Sequence, residues 1–253
     1  MSTTASTGTA GPLLRVRGLS KRFGGFIALE DIDLDVAPAE RLGLIGPNGS
    51  GKSTLVNCVC GTLQNETGSV EFVGRRLDGL AAHQRTHLGL ARSFQLPRPF
   101  TSLSVADNLR VPLLYTVRRR SLIISSPAEL DRRCLELLEQ VGLASKAARP
   151  PGDLTQVEMR KLELARAMAA EPKLLIADEV MAGLSHSEIE DIIALLLRLN
   201  AQGITIIMIE HIMSAVMRFS QRLAVLVSGR KIADGPPGEV VDNPEVVRAY
   251  LGQ

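Results

Sequence analysis

The chain has 253 residues, with 29 Lys and Arg against 27 Asp and Glu for a formal charge of +2, and is 45% hydrophobic and 3% aromatic. This length accommodates one large α/β domain or two small ones at about 100–200 residues each, and the composition excludes disordered and collagen-like chains. The balanced charge and the lack of Trp leave too few clustered cations and stacking rings for a nucleic-acid partner. Cys58, Cys60 and Cys134 are odd in number and follow no zinc-ligand spacing, so they read as reduced core residues.

Residues 1–12 are rich in Ser, Thr, Gly and Ala, without the basic and apolar blocks of a secretory leader, and read as a disordered tail. Strands are expected over 13–18 and 32–36; in the second, Ile32, Leu34 and Val36 alternate with Asp31, Asp33 and Asp35. Phe23-Gly24-Gly25 marks a turn between them. Residues 41–45 form a short apolar strand, and 52–60 carry a helical pattern. From 97 to about 170 the texture is helical, with Leu130, Cys134, Leu137, Leu138 and Val141 on one stripe that Gly142 ends. An αβ rhythm then returns: strand 174–177, helix 188–200 closed by Gly203, strand 204–209 and strand 223–227. Ser228-Gly229 turns the chain into 231–233 as a hairpin, and 244–251 can form a last short helix. No run approaches the 18 or so apolar residues of a membrane helix; 204–209 is only strand length.

Gly46-Pro47-Asn48-Gly49-Ser50-Gly51-Lys52-Ser53 satisfies the phosphate-loop pattern G-x-x-x-x-G-K-S/T, after a strand and before a helix, as its mechanism requires. The glycines let successive N–H groups point at a phosphate, and the helix N-terminus adds partial positive charge. Lys52 would reach the β and γ phosphates, with Ser53 on Mg²⁺ and Thr54 beside it. A second acidic element follows the apolar strand 174–177: Asp178 for the metal shell and Glu179 to polarise the attacking water. Alone, such an acidic pair is equally a helix N-cap; beside a phosphate loop it reads as functional.

From about residue 13 to the end, the sequence resembles the ATP-binding cassette ATPases, most sharply those of branched-chain amino acid importers and their urea and amide relatives. The residues that carry the resemblance are Ser20-Lys21-Arg22-Phe23-Gly24-Gly25, Arg92-Ser93-Phe94-Gln95-Leu96-Pro97-Arg98-Pro99-Phe100, 160–168, Ala182-Gly183-Leu184, Ile209-Glu210-His211 and the tail 243–252. The resemblance implies an α/β fold: a P-loop NTPase core over 13–253 with a mixed sheet, an antiparallel N-terminal β part and an inserted α-helical subdomain over about 97–170. It implies ATP and Mg²⁺ as ligands, Phe23 stacked on adenine, Gln95 on Mg²⁺ and the attacking water, and His211 as the switch histidine on the γ-phosphate. It also implies two transmembrane permease subunits, a second ATPase subunit, indirectly a solute-binding protein, and a place on the cytoplasmic face of the membrane. His83, His87 and His186 acquire no role.

Three positions depart from the family pattern. Leu154-Thr155-Gln156-Val157-Glu158 stands where the family has Leu-Ser-Gly-Gly-Gln. Thr155 and Glu158 form an S/T-x-x-E capping box, so a helix is expected to start there; Val157, β-branched in place of the second Gly, is expected to crowd a phosphate approaching the backbone. Val180 replaces a proline, and Ser185-His186 replaces an acidic or amide residue. Because the family's sites are composite, the departure at Val157 falls on the partner's nucleotide, which points to an asymmetric pair with a different ATPase subunit. The alternatives are a degenerate ATP-binding regulator and a lipopolysaccharide-export ATPase; Arg98-x-Phe100 favours amino acid uptake. The long coiled coils or duplicated cassette of a DNA-repair or translation ATPase are lacking.

Overall fold

The computed structural model describes residues 11–93, 97–117 and 126–251. The chain opens with a hairpin of β1 (Leu14–Phe23) and β2 (Phe26–Val36) turned at Gly24-Gly25, then enters β3 (Arg41–Ile45) and α1 (Lys52–Cys60). Next come β4 (Thr67–Phe72), β5 (Arg75–Arg76), α2 (Ala82–Leu88) and β6 (Leu90–Ser93). Helices follow: α3 (Asp107–Pro112), α4 (Pro127–Val141) and α5 (Gln156–Met168). The rest alternates: β7 (Leu174–Asp178), α6 (His186–Ala201), β8 (Thr205–Ile209), α7 (Met213–Phe219), β9 (Arg222–Val227), β10 (Arg230–Gly235), α8 (Pro237–Val241) and α9 (Pro244–Leu251).

Two sheets result, a four-stranded antiparallel one in the order β2-β1-β4-β5 and a six-stranded one in the order β10-β9-β3-β8-β7-β6. Every neighbouring pair in the larger sheet is parallel except β9 with β10. This is the mixed α/β architecture expected from the sequence, with its antiparallel N-terminal part as a separate sheet. Strands buried on both faces need continuous apolar runs, and β7 and β8 supply them. Successive side chains point to opposite faces, so each strand feeds two cores. Leu174, Ile176, Ile207, Ile209, Leu42 and Leu44 pack with α1 and the antiparallel sheet. Leu175, Ala177, Ile206, Met208, Leu223 and Val225 pack with the helices on the other side.

The expected stripe on α4 is fully buried, with Ser126 accepting the Glu129 N–H at 3.2 Å and Gly142 at φ 76° ending the helix. Both strands of the first hairpin are longer than the alternation suggested. The inner half of β2 carries exposed Phe26 and Ile27, which break the period-2 signal, and pairing with β1 in the register Phe23↔Phe26 extends it anyway. Gly18, at φ 56°, interrupts the β1 register and donates its N–H to Asp33 at 2.8 Å, which is why the strand looked finished there.

No local pattern announces β4, β5, β6, α2, α7 or α8. All are short, and β6 has Arg92 inside it. Buried Arg85 of α2 caps α1 from outside, donating to the carbonyls of Cys58 at 2.7 Å and Val59 at 2.9 Å. It thereby satisfies acceptors that a helix end leaves open. The cysteines are buried and free, and burial pushes their thiols up, to about 11 for Cys58 and about 12 for Cys60. Among the described residues no helix is long and apolar enough to cross a membrane.

Candidate active site

Strands β3, β8 and β7 lie side by side, with Leu44 level with Ile209 and Ile209 level with Asp178. Their carboxyl ends therefore deliver the phosphate loop, the 210–211 pair and the 178–179 pair to one edge of the sheet. That edge is where open α/β sheets bind ligands. The sheet order, rather than any local motif, brings these three segments together.

Within the loop, glycine is obligatory at the first position. Gly46 has φ 149°, and a Cβ there would lie 2.0 Å from the Leu226 carbonyl oxygen. Gly51, at φ 105°, would meet the Ala28 carbonyl at 2.7 Å. The buried Lys52 ammonium donates to the carbonyls of Gly46 at 2.7 Å and Pro47 at 2.9 Å, and reaches Ser50 Oγ at 3.3 Å. Burial lowers its pKa, and the carboxylates of Glu179 and Asp178 oppose that shift.

A cleft of about 240 Å³ is lined by Phe23, Phe26, Ala28, loop residues 48–54, Glu179 and His211. Phe23 is half exposed at the end of β1, with the Lys21 ammonium 5.5 Å from its ring centre, so it is not a core residue. Glu179 sits at φ 49°, a conformation uncommon for a side-chain-bearing residue, and strain of this kind gathers at functional sites. Its N–H donates to the Ile209 carbonyl at 2.9 Å, and its Oε1 lies 2.9 Å from His211 Nε2. Asp178 is buried behind the cleft, its Oδ2 bonded at 2.5 Å to Arg92, which also bonds Asn57 Oδ1 of α1 at 2.7 Å. Gln95 lies outside the described residues.

The residues at the departures all have structural occupations. Thr155 caps α5 as expected: its hydroxyl accepts the Glu158 N–H at 3.4 Å while Glu158 accepts the Thr155 N–H at 2.9 Å. Lys146, 2.7 Å from Glu158, holds that carboxyl below its ordinary pKa. Val157 is partly buried against the helical-side core. Val180 is buried, and Ser185 caps α6 in a second capping box with Glu188. From α5, Arg160 donates to the Ala182 carbonyl at 3.3 Å, joining that helix to the turn after Glu179.

Three residues escaped the sequence reading. Phe26 shares the cleft wall with Phe23, and its exposure was hidden by its place beside a Gly-Gly turn. Arg92 holds Asp178; in the sequence it stands only as the first residue of the 92–100 stretch, with no role attached. Glu210, 3% exposed, accepts the Met181 N–H at 2.8 Å. Burial raises its pKa to about 7 against the opposing bond from Met181, with the Glu179 charge adding to the rise.

Chemically, the cleft can cradle a polyphosphate on backbone N–H groups and an ammonium, with a carboxylate–imidazole pair on its wall to manage a proton. The chain matches the family described as ABC transporter over residues 29–182, and over 230–253 it matches one described as Branched-chain amino acid ATP-binding cassette transporter. It is 36% identical to the high-affinity branched-chain amino acid transport ATP-binding protein BraF of Pseudomonas aeruginosa, a match spanning 96% of this chain and 98% of that protein. Identity to the corresponding LivG protein of Salmonella typhimurium is 38% over the same shares. A solved structure of the ADP conformation of MJ1267, an ATP-binding cassette of an ABC transporter, superposes with a TM-score of 0.86 at 31% identity, covering 96% of this chain and 100% of that one. With the phosphate loop, the acidic strand end and the histidine gathered on one sheet edge, the chain belongs to the ABC transporter family, whose activity is ATP hydrolysis coupled to transport.

Proposed function

We propose that this chain is the ATP-hydrolysing subunit of an importer for branched-chain amino acids or related small solutes. It acts on the cytoplasmic face of the membrane with two transmembrane permease subunits, a second ATPase subunit and, indirectly, a solute-binding protein. The observation that carries this reading is a single cleft lined by Phe23, the phosphate loop, Glu179 and His211, in a chain that matches branched-chain amino acid transport proteins almost end to end.

In this reading Phe23 stacks on the adenine, its flat face open for that contact. The N–H groups of Gly46-Pro47-Asn48-Gly49-Ser50-Gly51 and of the first turn at Lys52, Ser53 and Thr54 surround the phosphates, proline alone contributing no donor. Glu179 is the general base and His211 orients water and the γ-phosphate. Mg²⁺ fits the donor chemistry: Ser53 lies in the first turn of α1 and Asp178 ends β7, and the family resemblance adds Gln95, which lies outside the described residues. Bound with ATP, Mg²⁺ supplies neutralisation of charge developing on the phosphoryl oxygens. A second concavity, of about 350 Å³, lies between α1, α2 and the helices α3 and α5 and is lined by Thr86, Phe100, Val111, Tyr115 and Arg166 among others. We assign docking of a permease segment to it. Arg166 lies over the Phe100 ring at 5.2 Å and donates to the Arg98 carbonyl at 2.8 Å, tying the Arg98-x-Phe100 stretch to α5. The direct test is genetic: deletion of the gene is expected to abolish uptake of radiolabelled leucine, isoleucine and valine, and unchanged uptake of all three overturns the cargo assignment.

The second ATPase subunit is a different chain in this proposal, because Val157 stands where a phosphate of the opposite nucleotide would approach. Two copies of this chain would place that residue at both sites. The purified chain alone is accordingly expected to turn ATP over slowly. Val157→Gly should accelerate it several-fold, although glycine near a helix start costs up to about 1 kcal/mol of helix stability. Brisk turnover by the unmodified chain that the change leaves untouched defeats the asymmetric pairing.

A further inference from the structure

Glu210 is a buried carboxyl to which the nucleotide chemistry assigns no part. A carboxyl in this setting is costly to keep unless its bonds serve a purpose. Its carboxyl accepts the N–H of Met181, at 2.8 Å, two residues beyond Glu179, and is also bonded by the backbone of His211. Along the backbone it directly precedes His211, whose Nε2 is 2.9 Å from Glu179 Oε1. The Met181–Glu210 and His211–Glu179 bonds close a ring that runs from Glu179 through Val180 to Met181, across to the Glu210 side chain, along one peptide to His211, and back to Glu179. The bond from the Glu179 N–H to the Ile209 carbonyl, 2.9 Å, braces it. On the far side of the same turn, Arg160 of α5 holds the Ala182 carbonyl at 3.3 Å.

We propose that Glu210 is a positioning residue: its carboxyl locks the turn after Glu179 to the end of β8, so that Glu179 and His211 keep their relative placement when a nucleotide takes over the contacts they make with each other. The proposal rests on the reading of Glu179 and His211 as the hydrolytic pair. Glu210 itself is not among the residues lining the cleft that Phe23 and the phosphate loop share, so the effect falls on turnover rather than on ATP affinity. Because Arg160 grips the adjacent residue of the turn, the ring also gives helix α5, whose capped start is at Thr155, a mechanical path to the pair.

The test is steady-state ATP turnover of the purified chain, with folding followed by circular dichroism. A misplacement of the order of 1 Å in reacting groups costs on the order of 10²-fold in rate, so Glu210→Ala should lower kcat about tenfold or more while the KM for ATP stays within about threefold. Glu210→Gln, whose amide oxygen can still accept the Met181 N–H, should restore kcat to within about threefold of the unmodified chain. Glu210→Asp keeps the charge but withdraws the acceptor by one methylene, and should show the same kcat-selective loss if the alanine variant does not fold. A folded Ala or Asp variant with unchanged kcat overturns the proposal, as does a Gln variant as impaired as Ala. Glu179→Gln run alongside separates the two readings: turnover surviving that change overturns Glu179 as the base, whereas turnover lost there but kept in Glu210→Ala overturns the role of Glu210 alone.

Discussion

Glu179→Gln is expected to lower steady-state ATP turnover by about 10²–10⁴-fold, the range typical for loss of a positioned general base, and to leave ATP binding in place. The substitution conserves volume and can still meet His211 Nε2, so the strained turn at φ 49° is not disturbed by packing. What it removes is the proposed proton acceptor. The groups proposed to bind nucleotide, Phe23, Lys52 and the loop N–H donors, are untouched. Lys52 loses one of the two carboxylates that sustain its charge, but Asp178 remains to oppose the desolvation. The measurement pairs kcat with the affinity for a fluorescent ATP analogue. Turnover within about threefold of the unmodified chain refutes the base assignment.

The second large effect concerns stability. Glu210→Gln is expected to raise the melting temperature at about pH 8, with the gain shrinking as pH falls toward the ordinary carboxyl pKa. The folded pKa of Glu210 is raised from 4.5 to about 7, so the folded state holds the proton more tightly than the unfolded chain. Its stabilising contribution is complete below about 4.5 and is lost as pH rises through about 7. At 1.36 kcal/mol per unit, the full loss is on the order of 3 kcal/mol, worth roughly 2–4 °C per kcal/mol for a chain of this size. Glutamine never ionises and escapes it. The charged groups that shape the titration are Glu179, whose charge raises the pKa, and His211, which lowers it; Arg160 is coupled to Glu210 from α5. Thermal melts of both proteins from about pH 5 to 8 check the sign, and a difference that does not vary with pH contradicts it.

Much of the site was legible because its residues are contiguous with strong local signals. The phosphate loop announces itself by glycine spacing, and the acidic pair by an apolar run that ends in two carboxylates. The alternation of Leu174, Ile176 and Leu175, Ala177 between two cores was also implicit in a strand with no polar face. What could not be seen was sheet order. No local pattern states that β8 lies between β3 and β7, yet that neighbourhood places His211 on Glu179 and Glu210 on Met181. Arg92 failed for the same reason: its meaning depends on Asp178, 86 positions away. The short elements β4, β5, α2 and α7 form through partners supplied elsewhere, as the Arg85 bonds to α1 illustrate, so a window of sequence holds too little of their stabilisation to register. Val157, Val180 and Ser185 were noticed as departures from a family pattern, and their local occupations in core packing and helix capping emerged only in three dimensions.

The ammonium of Lys52 is already satisfied by the carbonyls of Gly46 and Pro47 and by Ser50. On the proposed reading, a phosphate arriving at Lys52 does not find a bare cation; it competes with three neutral oxygens for donors already in use. The net gain is the difference between a charge-assisted bond and the neutral bonds it replaces, smaller than either alone. In that reading the same oxygens take the ammonium back when a phosphate leaves. Under the proposed function, the loop is thereby suited to exchange as much as to capture.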